Sequence, residues 1–331
     1  MSPQSRGVVR WGILATGGIA HSMTRDLLLH GHRVTAVGSR RAEAAGAFAS
    51  EHGIARAHAS YDELIGDPEV DVVYVATPHP MHAENAMAAL RAGKHVLVEK
   101  AFTLNAGQAR EVVREAADRK LLVMEAMWTR FLPHMAFVRE VVASGRLGEV
   151  WSVHADHTQK LSANPSHRLN DLALGGGALL DLGVYPVSFA HDVLGPVAEV
   201  SASATMRETG ADADVATTLR HVGGGISTSF SSSRTRGRNV ASVLGTEGRI
   251  DIEAVWYSPA VVVVRDANGR EVDRFEQTIS GRGMQYQAAE VERVLAAGEL
   301  SSPLLTPEHT VAVMDTMDQV RDAIELRYPG E

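Results

Sequence analysis

The sequence predicts an α/β protein of two domains, and three features of the chain predict it. Residues 8–122 alternate short apolar runs with helical stretches, which is typical of a parallel sheet covered by helices on both faces. A glycine-rich turn follows the first apolar run, and beyond Trp128 the chain changes to a series of short β-rich runs. Because 331 residues exceed the size at which one hydrophobic core usually stops growing, we expect two domains, 1–125 and 126–331.

The first domain is predicted to be a doubly wound parallel sheet with right-handed crossovers. Each strand is a short apolar run, and each helix carries apolar residues at helical spacing. The predicted strands are 8–14, 33–37, 70–76, 94–98 and 121–124. The predicted helices are 19–30, 42–52, 62–66, 82–92 and 105–119.

The second domain is predicted to be α+β, with an open and mainly antiparallel sheet. Several runs alternate in character, as at Thr217, Leu219 and His221, which is typical of a sheet with one face solvated or paired. The predicted strands are 149–157, 198–205, 215–222, 225–231, 239–245, 249–253, 260–265 and 272–275. The predicted helices are 135–144, 176–193, 285–297 and 307–327. A soluble protein should cover an exposed sheet face, so we expect a homodimer through this sheet.

Composition excludes several classes of site and partner. The chain has no cysteine, which excludes disulfides, thiolate zinc sites and cysteine nucleophiles. A net charge of -8 argues against nucleic acid or an anionic membrane as a partner. The N-terminus lacks the apolar core of a signal peptide, and no apolar run approaches the roughly 20 residues of a bilayer span, so we expect a cytoplasmic protein without a membrane partner. His154 and His157 are three apart on a predicted strand and face opposite ways, so no metal site is expected.

The turn at residues 12–20, Gly-Ile-Leu-Ala-Thr-Gly-Gly-Ile-Ala, joins the first strand to the first helix. Against G-x-G-x-x-G/A, Ala15 takes the first glycine position and Gly17 the second, where a missing side chain lets the backbone approach a pyrophosphate. Amides at the helix N-terminus would bind the phosphate charge. This context predicts a Rossmann-type dinucleotide-binding domain, and a plain glycine turn is the alternative. The predicted cofactor contacts in the turn are Thr16, Gly17, Gly18 and Ile19.

The end of the second strand indicates which dinucleotide binds. An NAD-binding chain places an acidic residue about 20 residues past the loop, where it binds the ribose hydroxyls. Here the strand ends in Ser39, Arg40 and Arg41, and the first acid is Glu43. A hydroxyl and two guanidinium groups suit a 2′-phosphate, so the sequence predicts NADP rather than NAD. A solvated basic helix start is the alternative.

A lysine, Lys100, stands where the strand 94–98 ends. Ligands of open parallel sheets bind beyond the carboxyl ends of the strands, so this ammonium is expected to reach a bound substrate. A solvated lysine at the start of a loop is the alternative. The other residues predicted to face the cofactor at these strand ends are Thr77, Pro78, His79, His82 and Glu99. For the two histidines, a capping role within the loop is the alternative.

Several motifs follow one another along the chain. They are the glycine turn, 76–82 (Ala-Thr-Pro-His-Pro-Met-His), 94–100 (Lys-His-Val-Leu-Val-Glu-Lys) and 175–185 (Gly-Gly-Gly-Ala-Leu-Leu-Asp-Leu-Gly-Val-Tyr). In this order they resemble the Gfo/Idh/MocA (glucose-fructose oxidoreductase-like) family, although Ala101 stands where that family commonly has proline. Tyr185 and the segment 125–131, Glu-Ala-Met-Trp-Thr-Arg-Phe, are similar to its dihydrodiol and NADP-dependent D-xylose dehydrogenase branch. The resemblance implies reversible hydride transfer at a hydroxyl-bearing carbon of an aldose or cyclic dihydrodiol.

Oxidation of a secondary alcohol by a nicotinamide needs a base for the hydroxyl proton. A phenol with a pKa near ~10 is a poor base, but an ammonium stabilises the phenolate, so Tyr185 and Lys100 are predicted to transfer the proton together. Asp181, four residues earlier on the same helix face, would orient Lys100 or bind a substrate hydroxyl. Pro186 is expected to leave the carbonyl of Leu182 unpaired and to kink the helix. A buried core tyrosine is the alternative for Tyr185.

Aromatic walls suit either a sugar ring or a cyclic diol, and an arginine can bind a hydroxyl or a cofactor phosphate. The substrate-pocket candidates are Trp128, Phe131, Arg168 and Trp256. Core packing is the alternative for the aromatic residues. Two other functions stay open: an NAD-dependent glycosidase on the same fold, which would retain its cofactor, and a nicotinamide-binding regulatory protein. Lys100 and Tyr185 argue against the second, because a protein that only binds needs neither.

Overall fold

The computed structural model describes residues 8–329 and 331. Residues 1–7, on which the expectation about a signal peptide rests, lie outside the described residues. The strands are β1 (Arg10–Leu14), β2 (Arg33–Gly38), β3 (Arg56–His58), β4 (Val72–Val75), β5 (His95–Glu99), β6 (Val123–Ala126), β7 (Val150–Thr158), β8 (Val197–Met206), β9 (Asp212–His221), β10 (Ile226–Ser232), β11 (Ala241–Gly245), β12 (Gly248–Ile252), β13 (Val262–Asp266) and β14 (Glu271–Phe275). The α-helices are α1 (Gly18–Leu29), α2 (Ala42–His52), α3 (Tyr61–Ile65), α4 (His82–Arg91), α5 (Ala106–Arg119), α6 (Pro133–Ala143), α7 (Val184–Leu194), α8 (Gln285–Ala297) and α9 (Pro307–Ala323).

Six strands form the sheet near the N-terminus, in the order β3-β2-β1-β4-β5-β6. All neighbouring strands in it run parallel, which confirms the predicted doubly wound parallel sheet. The strand order reverses between β1 and β4, and in such sheets the ligand crevice lies at this reversal, beyond the carboxyl ends. Strand β3 was not predicted from the sequence, because this three-residue edge strand, Arg-Ala-His, contains no apolar run.

This sheet belongs to a compact unit that extends to Thr103 and also contains Gly107–Trp128 and Ser280–Thr310. Helix α8 is therefore part of this unit, although the sequence analysis places it in the second domain. Glu292 of α8 explains the attachment. Its Oε1 atom accepts hydrogen bonds from the indole of Trp11 (2.9 Å) and from Nδ1 of His32 (2.8 Å).

The second compact unit contains an eight-stranded sheet in the order β14-β13-β12-β11-β7-β10-β9-β8. Strands β7 and β10 run parallel and all other neighbours antiparallel, which confirms the prediction of a mainly antiparallel sheet. Helix α7 packs across β7 and β10 on one face. On β7, His157 is buried and His154 is exposed, so the two histidines face opposite ways as their spacing predicts.

The segment that ends with α7 is long, apolar and mostly buried. By length and composition, Leu172–Leu194 could cross a membrane, although the sequence analysis recognised no such run. In the structure 83% of its apolar window is buried inside the protein, as in a core helix, so its length and composition are a weak indication of a span. A π-helical turn, Leu179–Gly183, precedes Pro186 where the sequence predicts a kink. Helix kinks occur at prolines and at such π-helical turns, which are frequent at functional sites.

Candidate active site

The turn between β1 and α1 leaves backbone amides open to a ligand. Gly17 caps α1, and a side chain built at Gly17 or Gly18 would meet no atom of the described chain within 4 Å. No acidic residue lies in the first turn of α1, so the positive end of its dipole is available to an anion. Ala15 has a φ of 89° and its amide donates to the carbonyl of Gly38 (2.9 Å). The turn therefore fits a pyrophosphate, with Thr16 and Ile19 half-buried on either side of the glycine pair.

The end of β2 presents one buried hydroxyl and two exposed guanidinium groups. The hydroxyl of Ser39 accepts a hydrogen bond from the amide of Arg41 (3.4 Å), and the amide of Ser39 donates to the carbonyl of His58 (3.2 Å). Arg40 and Arg41 are exposed, and within residues 8–329 and 331 neither forms a salt bridge. Two guanidinium groups that no acid neutralises fit the extra phosphate of NADP.

His82 connects the segment after β4 to the segment after β5. Its Nε2 lies 2.8 Å from the carbonyl of Thr77, and its Nδ1 lies 2.9 Å from the carbonyl of Ala101. Burial lowers the pKa of this imidazole, which is only 1% exposed. Both ring nitrogens of His82 face backbone carbonyls. These contacts match the alternative given for this histidine, a capping role within the loop. His79 is also buried, with its Nε2 3.2 Å from the carbonyl of Lys100, and Pro78 precedes it at the start of a 3-10 turn.

Lys100 is half-buried and directly follows β5. The carboxylate of Glu99, which is 5% exposed, accepts hydrogen bonds from the Tyr74 hydroxyl and from the Lys100 amide, the latter at 3.2 Å. Together with the contact between His79 and the Lys100 carbonyl, these bonds hold the backbone on both sides of the residue that carries the ammonium. Glu99 therefore positions Lys100 from within the protein.

Trp128 lies at the end of the first compact unit. Its indole is 6% exposed, and the guanidinium of Arg282 lies 5.4 Å from the ring centroid. A cation over an indole face at this distance is attracted by the electrons of the ring, so Arg282 holds the indole in place. Arg282 was not predicted to contact Trp128, because the two residues lie far apart in the sequence.

In the second compact unit, Tyr185 lies within a cluster of rings from three segments. Its ring meets that of His157 edge-on at 4.8 Å and that of Tyr257 at 5.6 Å. His157 and Tyr257 stack on each other at 3.6 Å. Gln159 joins them, since its Nε2 lies 2.9 Å from Nε2 of His157 and 3.5 Å from the hydroxyl of Tyr257. We call these four residues the Tyr185 cluster.

The two tyrosines of the Tyr185 cluster differ in their surroundings. Tyr185 is 8% exposed and occupies the first turn of α7, directly after the π-helical turn. Burial raises the pKa of Tyr257 to about 12, which the hydrogen bond from Gln159 only partly offsets. Tyr257 therefore remains a neutral phenol at ordinary pH. It can donate a hydrogen bond in this cluster, and its raised pKa favours the neutral form over the phenolate.

Asp181 pairs with Arg168 in the second unit. The guanidinium of Arg168 lies 3.2 Å from Oδ1 of Asp181, whose side chain is 12% exposed while that of Arg168 is 49% exposed. The pair lies at the π-helical turn, four residues before Tyr185. The structure thus brings together two residues that the sequence analysis assigned to separate roles.

A buried carboxylate anchors the start of the same turn. Asp212 is fully buried and its Oδ2 accepts a hydrogen bond from the amide of Leu179 at 2.6 Å. Burial raises the pKa of Asp212 to about 6. Gly177, at φ 137°, passes so close that an added Cβ would lie 1.9 Å from Oδ1 of this carboxylate. The sequence therefore needs glycine at this position.

Three of the predicted pocket residues, Trp128, Phe131 and Trp256, are buried. Phe131 is 6% exposed, and Trp256 is completely buried, with its indole donating to the carbonyl of Asp156 (2.7 Å) and its ring 5.1 Å from Phe189. Trp256 thus has the core-packing role that was the alternative to a place in the substrate pocket. Its neighbour Tyr257 contacts Tyr185. Sequence reasoning missed Tyr257, His157 and Gln159. The available signals were the adjacent aromatic pair at 256–257 and the polar end of β7.

Two family models match the chain. The model of an oxidoreductase family with an NAD-binding Rossmann fold matches residues 9–127. The model of the GFO/IDH/MocA C-terminal domain matches residues 135–251. The two models cover the six-stranded sheet and most of the eight-stranded one.

Relatives with assigned activities are similar over nearly the whole chain. A trans-1,2-dihydrobenzene-1,2-diol dehydrogenase from Bos taurus is 38% identical, with 98% of this chain and 99% of the relative covered. An NADP(+)-dependent D-xylose 1-dehydrogenase from Hypocrea jecorina is 36% identical, with 97% of this chain and 93% of the relative covered. Among solved structures, a 3-ketoreductase from Actinomadura kijaniata in complex with NADP and TDP-benzene has a TM-score of 0.84 at 28% identity, covering 96% of this chain and 98% of that one.

Proposed function

Because this chain belongs to the Gfo/Idh/MocA family of oxidoreductases, we propose that it transfers a hydride reversibly between NADP and a hydroxyl-bearing carbon of an aldose or a cyclic dihydrodiol. The names of the two relatives support this choice of substrate, since one oxidises a cyclic dihydrodiol and the other D-xylose. The substrate is therefore a small molecule with neighbouring hydroxyl groups, such as a sugar or a polyol.

The observation that carries the choice of NADP is the pair of exposed guanidinium groups at the end of β2. Arg40 and Arg41 follow the buried Ser39, and no acid occupies the place where an NAD enzyme would bind the ribose hydroxyls. The glycine pair at 17–18 would bind the pyrophosphate with its amides. When bound, the nicotinamide accepts or supplies the hydride.

The residues of the chain supply the proton chemistry. Tyr185 takes the proton of the substrate hydroxyl during oxidation and returns it during reduction. We propose that Lys100 assists this transfer, since its ammonium would stabilise a phenolate at Tyr185. The rings of His157 and Tyr257 hold the phenol in one orientation. The pair of Asp181 and Arg168 binds a substrate hydroxyl, since both side chains carry charge and Arg168 is half-exposed.

An assay of the full-length enzyme tests the proposal directly. NADP or NAD is mixed with aldoses and trans-dihydrodiols, and the absorbance of the reduced nicotinamide is followed. We expect NADP to be reduced with at least one of these alcohols, and more efficiently than NAD. NADP that binds tightly without turnover of any alcohol would disprove the oxidoreductase activity. Release of sugar from a glycoside without net reduction of NADP would indicate the glycosidase instead.

Substitution of Lys100 separates catalysis from binding. We expect Lys100→Met to abolish turnover while the dissociation constant of NADPH, measured by the fluorescence of its reduced nicotinamide, stays within a few-fold. Lys120→Met removes an exposed lysine of the same unit and serves as the matched control. Equal losses of turnover and NADP affinity in Lys100→Met would make this lysine a binding residue.

We also propose that a second copy of the chain covers the outward face of the eight-stranded sheet. This face bears a groove of about 590 Å³ whose lining includes Phe230, which is 43% exposed, together with His154 and Asp251. An exposed aromatic rimmed by polar residues is typical of a protein interface. Light scattering of the wild-type chain should give the mass of a dimer, and Phe230→Glu should give a monomer. A monomeric wild-type chain would contradict this proposal.

A further inference from the structure

Two histidines and a glutamate meet where α1 packs against α2, one helical turn beyond the glycine pair at the start of α1. Nδ1 of His21 lies 2.8 Å from Nε2 of His52 and 3.3 Å from Oε1 of Glu51. The same Oε1 lies 3.6 Å from Nε2 of His52. We propose that these three side chains, here called the His21 cluster, bind a divalent transition-metal ion, with Zn²⁺ as the best match to the ligands. The proposal does not depend on the reaction that the enzyme catalyses.

The separations of the three ligand atoms match a tetrahedral ion. With metal–ligand bonds of about 2.05 Å, the ligand atoms of a tetrahedral Zn²⁺ lie roughly 3.3 Å apart. Two of the three separations, 3.3 Å and 3.6 Å, are close to this value. The third is the 2.8 Å contact between the imidazoles of His21 and His52, which would open by about 0.5 Å when a cation replaces the shared proton.

The types of ligand also select the ion. Imidazole nitrogens and a carboxylate oxygen suit Zn²⁺, whereas Mg²⁺ and Ca²⁺ prefer oxygen ligands alone. Two histidines and one glutamate form a three-ligand set that leaves a fourth position for water. Glu51 is exposed, so an ion can enter from its side of the cluster.

Packing against Phe48 holds the two imidazoles in place. This ring is 2% exposed and lies 4.4 Å from the ring of His21 and 4.5 Å from that of His52. The side chain of His52 is itself only 4% exposed. Because the protein has already restricted both rings, little side-chain entropy is lost when an ion binds.

One nearby charge opposes binding. Arg25 lies one helical turn beyond His21, is exposed, and donates from Nε to the His21 carbonyl at 3.2 Å. With Glu51 as the single acid of the cluster, this cation cancels much of the local negative charge. We therefore expect an ion that exchanges with the solvent and does not act as a permanent structural zinc.

Metal titration of the full-length protein tests the His21 cluster. Metal-free protein is titrated with ZnCl₂ in a calorimeter and, separately, with CoCl₂ in a spectrophotometer, since tetrahedral Co²⁺ absorbs strongly in the visible. We expect one ion per chain and a tetrahedral Co²⁺ spectrum. His21→Ala and His52→Gln should each raise the dissociation constant at least about tenfold, equivalent to about 1.4 kcal/mol.

The matched control is His58→Ala, in the same compact unit. His58 lies 2.9 Å from a carboxylate oxygen of Asp67 and 3.9 Å from one of Glu63, so it is a histidine among acids without a second imidazole. Its substitution should leave the binding unchanged, and thermal unfolding with a chelator present should show that each variant is folded. The absence of stoichiometric binding, or binding that persists in both folded variants of the His21 cluster, would overturn the proposal. Loss of the same site in His58→Ala would also overturn it.

Discussion

The two compact units build their functional regions in different ways. In the first, the candidate cofactor residues lie on short segments that follow parallel strands, and much of the recognition comes from the backbone near Gly17 and from two exposed arginines. In the second, the Tyr185 cluster combines α7, the end of β7 and the segment around Tyr257. The first region depends on local spacing along the chain. The second depends on which distant segments pack together.

The largest effect is expected from the Tyr185 cluster. Tyr185→Phe removes the hydroxyl that transfers the proton but keeps the ring contacts, so we expect kcat to fall by about 10²–10⁴-fold with little change in stability. Steady-state kinetics with NADP and the best alcohol, together with a thermal melt, measure both. Tyr257→Phe is the control and should lower kcat by a smaller factor than Tyr185→Phe. If Tyr257→Phe were the more damaging change, the assignment of the two tyrosines would be reversed.

Glycines of the two units should respond differently to the same substitution. Gly177→Ala forces a left-handed backbone onto alanine and drives its Cβ into the carboxylate of Asp212, so we expect a loss of about 3 kcal/mol or more in unfolding free energy. Gly46→Ala, on α2, meets open space and should be neutral or stabilise by up to about 1 kcal/mol. Urea unfolding of both variants checks this contrast. If Gly177→Ala and Gly46→Ala had equal free energies of unfolding, the turn before α7 would be able to rearrange around the added Cβ.

The buried carboxylate of the second unit predicts a dependence of stability on pH. Folding raises the pKa of Asp212 from 3.8 to about 6, so the folded chain binds this proton more tightly than the unfolded chain. The resulting stability is fully present below about pH 4 and is lost as the pH rises through 6, by about 3 kcal/mol. Asp212→Asn should lack this decline. Urea unfolding of both proteins at a series of pH values between 4 and 8 gives the difference, and parallel curves would contradict the assignment.

The smallest effect is expected at the end of β2. Arg41→Ala removes one exposed guanidinium, and we expect the KM for NADP to rise by about tenfold while the KM for NAD changes little, because only NADP carries the 2′-phosphate. Kinetics with both cofactors give the two ratios. Arg33→Ala removes an exposed arginine at the opposite end of the same strand and should leave both values unchanged. A parallel rise for NAD and NADP would show a role in folding or in pyrophosphate binding.

Much of the secondary structure of the first unit could be predicted, because the sequence patterns that indicate it extend over only a few neighbouring residues. Apolar runs that alternate with helical stretches predicted five of the six strands, and the predicted start of the first helix, Ile19, lies one residue from the observed start of α1 at Gly18. The exception was β3, which is short, polar and stabilised by pairing with β2. The sequence also gave no sign that α8 joins this unit, because that depends on the contact of Glu292 with Trp11 and His32.

The second unit shows what local patterns leave undecided. Its strands and helices were predictable from alternation and turn residues, but the surroundings of Tyr185 were not. Trp256 looked like a pocket residue, yet its indole is buried, and the adjacent Tyr257 faces Tyr185. Trp256 and Tyr257 lie in a turn outside any regular element, so packing against distant elements decides which of the two side chains faces the core.

By itself, the sequence determined the family, the two sheet types, the glycine turn and the basic end of β2. These features follow from residue types at fixed spacings, since backbone geometry and charge act over a few neighbouring residues. Only the tertiary structure decided that His82 connects two loops, that Asp181 pairs with Arg168, and that His21, Glu51 and His52 meet. Each of these contacts joins segments whose separation along the chain carries no pattern, because burial and packing of whole elements bring them together.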